Sequence, residues 1–243
     1  MGGRGAKYRA GKTVVSAAPS VPQSAKAVKD FTELKQYMQS QYKVDFDDSL
    51  ANCDWSTVKA IGESVDRLAA EFPKFVLALK RFTPQRLAPK TYAGANMRGG
   101  ISVNDLFYAD RNKFDASYAN TVKAGFHPAG TTADDVAVHE MGHVMEVALI
   151  YRNGRKWSEW AKCTQATRIV GNAAKALKRT PEGRDPITGK PYNIDALIAQ
   201  VSRYARQNRS EAMAECVADY CRNGNKAKPL SKAVWAELKK ELG

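Results

Sequence analysis

The segment VAVHEMGHVMEVALI constrains the fold more than any other part of the chain, because apolar residues fill most of it and polar ones interrupt it in one short motif. Thr132, with Asp135 three residues later, provides a cap for the start of a helix. The motif H-E-x-x-H therefore lies in the middle of a helix that runs to about residue 152. The apolar positions that carry this helix are Val136, Val138, Met141, Val144, Met145, Ala148 and Leu149.

The two histidines of this motif have the spacing of metal ligands. His139 and His143 are four residues apart and share one helical face, so their ring nitrogens can converge on a point about 2 Å from each, the bond length that zinc needs. Glu140 is rotated by about 100° from His139, which places its carboxylate beside the metal rather than on it. Zinc lowers the pKa of bound water to about 7, and such a carboxylate takes the proton as the water attacks a carbonyl. The pattern predicts one catalytic Zn²⁺ per chain; the alternative is a chance pairing on a buried helix.

A catalytic zinc needs a third protein ligand. One large class of zinc peptidases uses a His six residues after the second His, with Gly at the third position, but those positions here are Leu149 and Glu146. The other common solution is a Glu on a later helix. The segment SRYARQNRSEAMAECVADY offers Glu211 and Glu215, on a helix that Asn208 can cap.

The pair HEMGH and S-R-Y-A-R-Q-N-R-S-E-A-M-A-E resembles the active-site signature of the anthrax lethal factor catalytic domain and its relatives, a gluzincin family of zinc metallopeptidases. In that family a Tyr stands seven residues before the Glu ligand and a second Glu follows four residues after it. Tyr204, Glu211 and Glu215 match these spacings. The resemblance implies that zinc is bound by His139, His143 and Glu211, that Glu140 is the general base, that Tyr204 donates a hydrogen bond to the oxyanion, and that Glu215 orients a ligand histidine.

A second assignment of the third ligand stays open. Glu215 and Asp219 are also four residues apart, so a thermolysin-like E-x-x-x-D pattern would make Glu215 the ligand and Asp219 the carboxylate that orients a histidine. Tyr204 favours Glu211, because its position fits the lethal factor pattern. The alternative for Tyr204 is an ordinary core tyrosine with a polar end.

The segments KTYAGAN and GGISVN predict a β-hairpin in a small mixed sheet. Zincin-type peptidases commonly present an edge strand above the zinc helix, and an extended peptide pairs with it as an added strand. We predict that Ile101, Ser102, Val103 and Asn104 form this edge and bind the substrate; an interior strand is the alternative. His127, in GFHPAG, is a candidate for the substrate cleft, although a lone loop histidine is more often incidental.

These elements predict an α+β fold: a zincin-like metallopeptidase domain over residues 87–243, with the edge strand over the H-E-x-x-H helix and a helical C-terminal half. Before it we predict an N-terminal helical subdomain over residues 30–86. Its helices begin at the capping box Asp30-x-x-Glu33 and continue with an apolar stripe over residues 55 to 72. The helices expected in the C-terminal half span residues 194–203, 209–222 and 230–242.

The net charge of +13 is unevenly distributed. Residues 1–29 contain six basic residues and no acidic one, and residues 151–190 contain ten basic against three acidic. The Gly, Ala, Ser and Pro content of residues 1–29 predicts a flexible basic arm, because such a segment buries too little apolar surface to offset its ordering entropy. The arm is either a contact for nucleic acid or a virion partner, or a solvated leader that helps solubility.

Composition also excludes some classes of protein. No run of eighteen apolar residues is present and no secretory signal is recognisable, so we expect no membrane association. Without export, the thiols are expected to stay reduced. The four cysteines, among which no C-x-x-C pair occurs, are Cys53, Cys163, Cys216 and Cys221.

Two functions therefore follow as expectations. The first is a zinc-dependent metallopeptidase that hydrolyses peptide bonds of a peptide or protein substrate. The second is a catalytically degenerate zincin that serves as a structural or nucleic-acid-binding component. The MGGRG start and the GFHP-to-HExGH layout are similar to proteins encoded in head-morphogenesis regions of phages and prophages of Gram-positive bacteria, which implies a virion-associated or injected protein, or one in the host cytoplasm.

Overall fold

The structure is a computed structural model that describes residues 23–152 and 165–243. Its sheet contains β1 (Asp45–Phe46), β2 (Arg81–Gln85), β3 (Ala93–Ala95) and β4 (Gly100–Asn104), in the spatial order β1-β2-β4-β3. The first three strands of that order pair in parallel, and β3 runs antiparallel to β4. The chain is thus mixed α+β, with helices accounting for most of the described residues.

The hairpin is confirmed, but the prediction that Ile101–Asn104 form the edge strand is wrong. β4 lies between β2 and β3, and Ile101 pairs with Phe82 of β2 as well as with Ala95 of β3. The other strand of the hairpin, β3, is the edge strand instead. The partner on the far side of β4 is β2, whose residues precede their partners in β4 by 19 positions. The local hairpin pattern carries no information about a pairing outside the hairpin.

The segment 30–86 supplies both helices and strands. Its helices α1 (Phe31–Tyr42) and α2 (Trp55–Glu71) form as predicted, and the Asp30 carboxylate accepts a hydrogen bond from the Glu33 amide at 2.9 Å. The same segment also contains β1 and β2, which pair with each other and join the hairpin through β4. The sequence therefore predicts its helices but not its part in the sheet.

Residues 23–29, which belong to the predicted flexible arm, are packed against the fold. Ala25 and Val28 are buried, and the Ala25 amide donates to the Asp66 carboxylate at 2.6 Å. The prediction of a flexible arm is therefore wrong for this stretch. Residues 1–22 lie outside the described part of the chain, as does Cys163, while Cys53, Cys216 and Cys221 are free thiols.

The C-terminal half is helical, as expected, and surrounds one central helix. That helix, α5 (Asp135–Arg152), is buried along most of its length. It packs against α2, the hairpin and three later helices, which are α6 (Gln165–Leu177), α8 (Arg209–Asn223) and α9 (Pro229–Leu242). Within residues 23–152 and 165–243, no helix is both long and apolar enough to cross a membrane. The helices that follow the sheet are α3 (Asp105–Tyr108), α4 (Arg111–Lys123), α5 (Asp135–Arg152), α6 (Gln165–Leu177), α7 (Ile194–Ala199), α8 (Arg209–Asn223) and α9 (Pro229–Leu242).

Candidate metal centre

The centre lies between α5 and α8, and a glycine allows these two helices to approach each other closely there. A Cβ atom placed on Gly142 would lie only 2.8 Å from the Cα of Ala214. Gly142 stands between the two motif histidines, and Ala214 stands between Glu211 and Glu215. The contact between these two small residues therefore brings the histidines of α5 against the glutamates of α8.

Three side-chain atoms converge at this contact. Nε2 of His139 lies 3.1 Å from Oε2 of Glu211, Nε2 of His143 lies 3.3 Å from the same oxygen, and the two Nε2 atoms are 3.2 Å apart. Tetrahedral zinc with bonds of about 2.0–2.1 Å separates its ligand atoms by about 3.4 Å. The group could therefore hold a metal ion. It contains Glu211, and not Glu215, as the carboxylate that faces both Nε2 atoms.

The charge distribution around these atoms also calls for a cation. Three electron-rich atoms in mutual contact repel one another unless a proton or a metal ion lies among them. Burial alone would lower the pKa of His139, but the carboxylates of Glu211 and Glu215 reverse this and hold that pKa well above its usual value. The two carboxylates thus favour a positive charge among these atoms, whether a proton or a metal ion carries it.

Glu215 lies behind His139, on the side away from Glu211. Its Oε1 is 2.9 Å from Nδ1 of His139, although that N–H is poorly aligned for a hydrogen bond. The same carboxylate accepts hydrogen bonds from Nδ1 of His127 at 3.0 Å and from the Ser202 hydroxyl at 2.7 Å. Burial raises the pKa of Glu215, but the nearby His127 and His139 outweigh it and lower the pKa to about 2. Glu215 is therefore a charged group that faces the Nδ1 atoms of two histidines.

His143 is held from behind by a different set of groups. Its Nδ1 lies 3.1 Å from the Ser210 hydroxyl oxygen, and that hydroxyl lies 2.5 Å from Oε2 of Glu146. Glu146 is on α5, one turn after His143, and its other oxygen accepts a hydrogen bond from the Ala166 amide at 3.1 Å. Each motif histidine thus has its Nδ1 directed toward a polar partner and its Nε2 toward Glu211.

A cavity of about 560 Å³ opens beside the group. Glu140 borders it next to His139, and the Glu140 carboxylate has no hydrogen-bond partner among the described side chains. Tyr204 borders it as well, with its ring centre 5.7 Å from that of His139. Burial, followed by the negative charge of Glu211, raises the pKa of Tyr204 far above its usual value, so its hydroxyl remains a hydrogen-bond donor. The rest of the wall includes four aromatic side chains, those of Tyr92, Phe107, Tyr118 and Phe126.

Tyr204 owes its position to a contact between two loops. The Tyr204 amide donates to the Phe126 carbonyl at 3.0 Å, and the Arg203 amide donates to the Gly125 carbonyl at 2.9 Å. These bonds fasten the short 3-10 helix Tyr204–Arg206 to the loop that carries His127. Tyr204 and His127 therefore reach the cavity wall together.

Some predicted site residues lie elsewhere. The Asp219 carboxylate accepts hydrogen bonds from the Asn223 side chain at 2.7 Å and from the Lys228 amide at 2.9 Å, so it fixes the start of α9 rather than a histidine. Ile101, Ser102, Val103 and Asn104 do not line the cavity. The Asn104 side chain instead donates to the Thr91 carbonyl at 2.6 Å, which shapes the loop before β3. Ala93 of β3 and Tyr92, which directly precedes that strand, line the cavity in place of β4.

The sequence analysis did not identify three residues that contact this centre, Glu146, Ser202 and Ser210. His127, a candidate for the cleft from the sequence, does line the cavity; it stacks on Tyr118 with ring centres 4.9 Å apart and contacts Glu215, so all three histidines of the chain lie in one cluster. Ser202 carries no local signal. Glu146 lies three residues after His143 on the same helical face, and Ser210 directly precedes Glu211, so their positions relative to the motifs were the available signals.

Comparisons with known proteins do not identify a family for this chain. No protein-family model, no curated protein and no solved structure matches it.

Proposed function

We propose that the protein is a zinc-dependent metallopeptidase that hydrolyses peptide bonds. The observation that supports this most is the convergence of His139, His143 and Glu211 at 3.1–3.3 Å beside a cavity bordered by Glu140 and Tyr204. The group contains the residue types that a gluzincin uses as metal ligands, as general base and as hydrogen-bond donor to the oxyanion. The zincin identity of the fold is part of the same proposal.

In the proposed mechanism, His139, His143 and Glu211 would hold the metal ion. When bound, zinc would supply a water of lowered pKa and would polarise the scissile carbonyl. The carboxylate of Glu140, to which no described side chain donates a hydrogen bond, accepts the proton of the attacking water. Glu140 then passes this proton to the leaving amine. Tyr204 donates its hydroxyl proton in a hydrogen bond to the carbonyl oxygen as negative charge develops there.

The substrate is proposed to add a strand to β3. The Asn104 amide donates to the Tyr92 carbonyl at 2.8 Å, and the Asn96 amide donates to the Gly100 carbonyl at 2.9 Å. Because successive residues of a strand alternate in direction, Ala93 and Ala95 turn their backbone groups to the outer edge. No described strand pairs with that edge. An extended peptide bound there would lie along the cavity that Ala93 lines.

The cavity suggests which side chain the peptide carries next to the scissile bond. Its volume of about 560 Å³ and the four aromatic side chains in its wall suit a large apolar or aromatic side chain. Lys90 and Arg203 also line it, which favours a carboxylate nearby in the substrate. The phage-related, virion-associated setting is proposed on the sequence resemblance alone.

The test separates metal binding from catalysis. Zinc content is measured by elemental analysis after purification without added metal and again after reconstitution, and hydrolysis is followed by mass spectrometry on a peptide library. Glu140→Gln is expected to keep one zinc per chain and lose hydrolysis, whereas His143→Ala loses both. Glu71→Gln, an equivalent change on α2 whose carboxylate pairs with Lys239, is the matched control.

Two results would overturn the proposal. Full hydrolysis by Glu140→Gln would remove the base from the mechanism. Absence of zinc from the reconstituted wild-type protein would leave the degenerate zincin, acting as a structural or nucleic-acid-binding component, as the alternative.

A further inference from the structure

The ring of His143 is the end of a continuous chain of hydrogen-bonding groups. Its Nδ1 lies 3.1 Å from the Ser210 hydroxyl, which lies 2.5 Å from the Glu146 carboxylate, which in turn accepts from the Ala166 amide at 3.1 Å. Glu146 is 3% exposed, so water does not compete effectively for its oxygens. The three contacts connect α5, α8 and the first turn of α6.

With an ionised carboxylate at Glu146, the donors and acceptors of this chain can be arranged in only one consistent way. An ionised carboxylate only accepts hydrogen bonds, and a serine hydroxyl has a single proton to donate. Ser210 therefore donates to Glu146, and its oxygen is left to accept from the N–H at Nδ1 of His143. A neutral imidazole that carries its proton on Nδ1 has its lone pair on Nε2, the atom that faces Glu211 and His139.

The second oxygen of Glu146 acts on a different part of the fold. The N–H groups in the first turn of a helix have no partner within that helix, and a negative charge at this end is favourable. The Ala166 amide, in the first turn of α6, finds its acceptor in Glu146. One buried carboxylate thus serves both the ligand histidine and the start of α6.

We propose that Ser210 and Glu146 are positioning residues that hold His143 in the tautomer able to bind metal and couple metal binding to the docking of the α6 N-terminus. The inference rests on the proposed metal site. Because coupling between two sites is reciprocal, metal binding stabilises the start of α6 to the same extent that the docked helix favours metal binding.

The proposal predicts different effects for four variants. Ser210→Ala removes the link and is expected to weaken zinc affinity by about 10- to 100-fold, whereas Ser210→Thr keeps the hydroxyl and retains most of the affinity. Glu146→Gln is expected to weaken zinc binding as well. In this variant the amide oxygen of the glutamine accepts from the Ala166 amide, and its NH₂ group donates to the Ser210 oxygen. The Ser210 hydroxyl then donates to Nδ1 of His143, so the ring proton of His143 is on Nε2. Ser231→Ala, a buried change on α9, is the matched control.

Three measurements on the full chain test the proposal. Nitrogen-15 NMR of the histidine rings in the metal-free protein is expected to show His143 protonated on Nδ1 in the wild type and in Ser210→Thr, with that preference lost in Ser210→Ala. Zinc affinity is measured by competition with a chelator. Hydrogen exchange at Ala166 is expected to slow on zinc binding in the wild type and to change much less in Ser210→Ala.

The outcomes separate this inference from the proposed function. Protonation of wild-type His143 on Nε2, or zinc affinities of Ser210→Ala and the wild type that agree within about threefold, overturns the positioning role. A wild-type protein that shows the expected tautomer but binds no zinc overturns the peptidase proposal and the coupling to metal, while the role of Ser210 in fixing the tautomer is upheld.

Discussion

Replacement of Gly142 by alanine tests whether the close contact of α5 and α8 creates the metal centre. The added Cβ would meet the Cα of Ala214 at 2.8 Å and its Cβ at 3.2 Å. Carbon atoms at their preferred separation lie about 3.5–4.0 Å apart. The helices must therefore separate by about 0.7–1.2 Å, because the atom that the Cβ would meet at 2.8 Å belongs to the backbone of α8.

This displacement exceeds the tolerance of metal–ligand distances, but two packed helices can accommodate it at a moderate cost in folding free energy. Ligand distances in a working site hold to within about 0.2 Å, so the separation of His139 and His143 from Glu211 should weaken zinc binding by about 10- to 100-fold. Overpacking costs about 1–3 kcal/mol of folding free energy, while alanine gains about 1 kcal/mol over glycine in a helix. We therefore expect Gly142→Ala to lower the free energy of unfolding by at most about 2 kcal/mol.

The assay combines urea unfolding of the metal-free protein with chelator competition for zinc. Gly171→Ala in α6 is the control, because a Cβ there meets no atom within 4 Å and should stabilise the helix by about 1 kcal/mol without altering zinc affinity. The reasoning fails if Gly142→Ala binds zinc within about threefold of the wild type. It also fails if Gly142→Ala stabilises the protein as much as Gly171→Ala does.

Four further variants test individual roles. Tyr204→Phe should retain zinc but lower kcat by about 10²- to 10³-fold, since it removes one donor to the oxyanion; steady-state kinetics checks this, and an unchanged kcat would contradict it. Glu215→Gln should weaken zinc affinity by about 10- to 100-fold through the His139 contact, as measured by chelator competition. Asp219→Asn should leave zinc affinity unchanged and lower the free energy of unfolding by about 1–2 kcal/mol, because it weakens the contact at the start of α9; a loss of zinc would instead favour the thermolysin-like assignment. Ala95→Pro removes an outward N–H at the edge of β3, so it should raise KM for extended peptides about tenfold while circular dichroism shows the fold retained; an unchanged KM would argue against strand addition.

The predicted helices are those whose signals are local. Asp30 and Asn208 cap α1 and α8 as expected, because a cap and the helix it starts are adjacent in sequence. Helix α4 was missed because only Phe114 and Tyr118 of its residues are buried, which gives too weak an apolar stripe to recognise. Strand β2 was missed because it contains Pro84, a residue that argues against a strand in the sequence. The structure accommodates Pro84 in a part of β2 that does not pair with β1.

The sequence by itself determined which residues of the candidate metal centre share a helical face. A spacing of four residues in a helix fixes His139 and His143 on one face, with Glu140 one position further round, whatever the rest of the chain does. The same argument places Glu211 and Glu215 on one face of a second helix. It does not decide which of the two meets the histidines.

The tertiary structure decided how these faces meet. The close contact at Gly142 brings Glu211 to the Nε2 atoms and leaves Glu215 beside Nδ1 of His139, and the pairing of β4 with β2 leaves β3 as the edge strand. Ser210 and Glu146 join the centre only because α5, α6 and α8 pack together. Helical periodicity is set by backbone geometry within a few residues. The distances between helices and the order of strands depend on contacts between residues far apart in the chain. Local sequence patterns carry no information about such contacts.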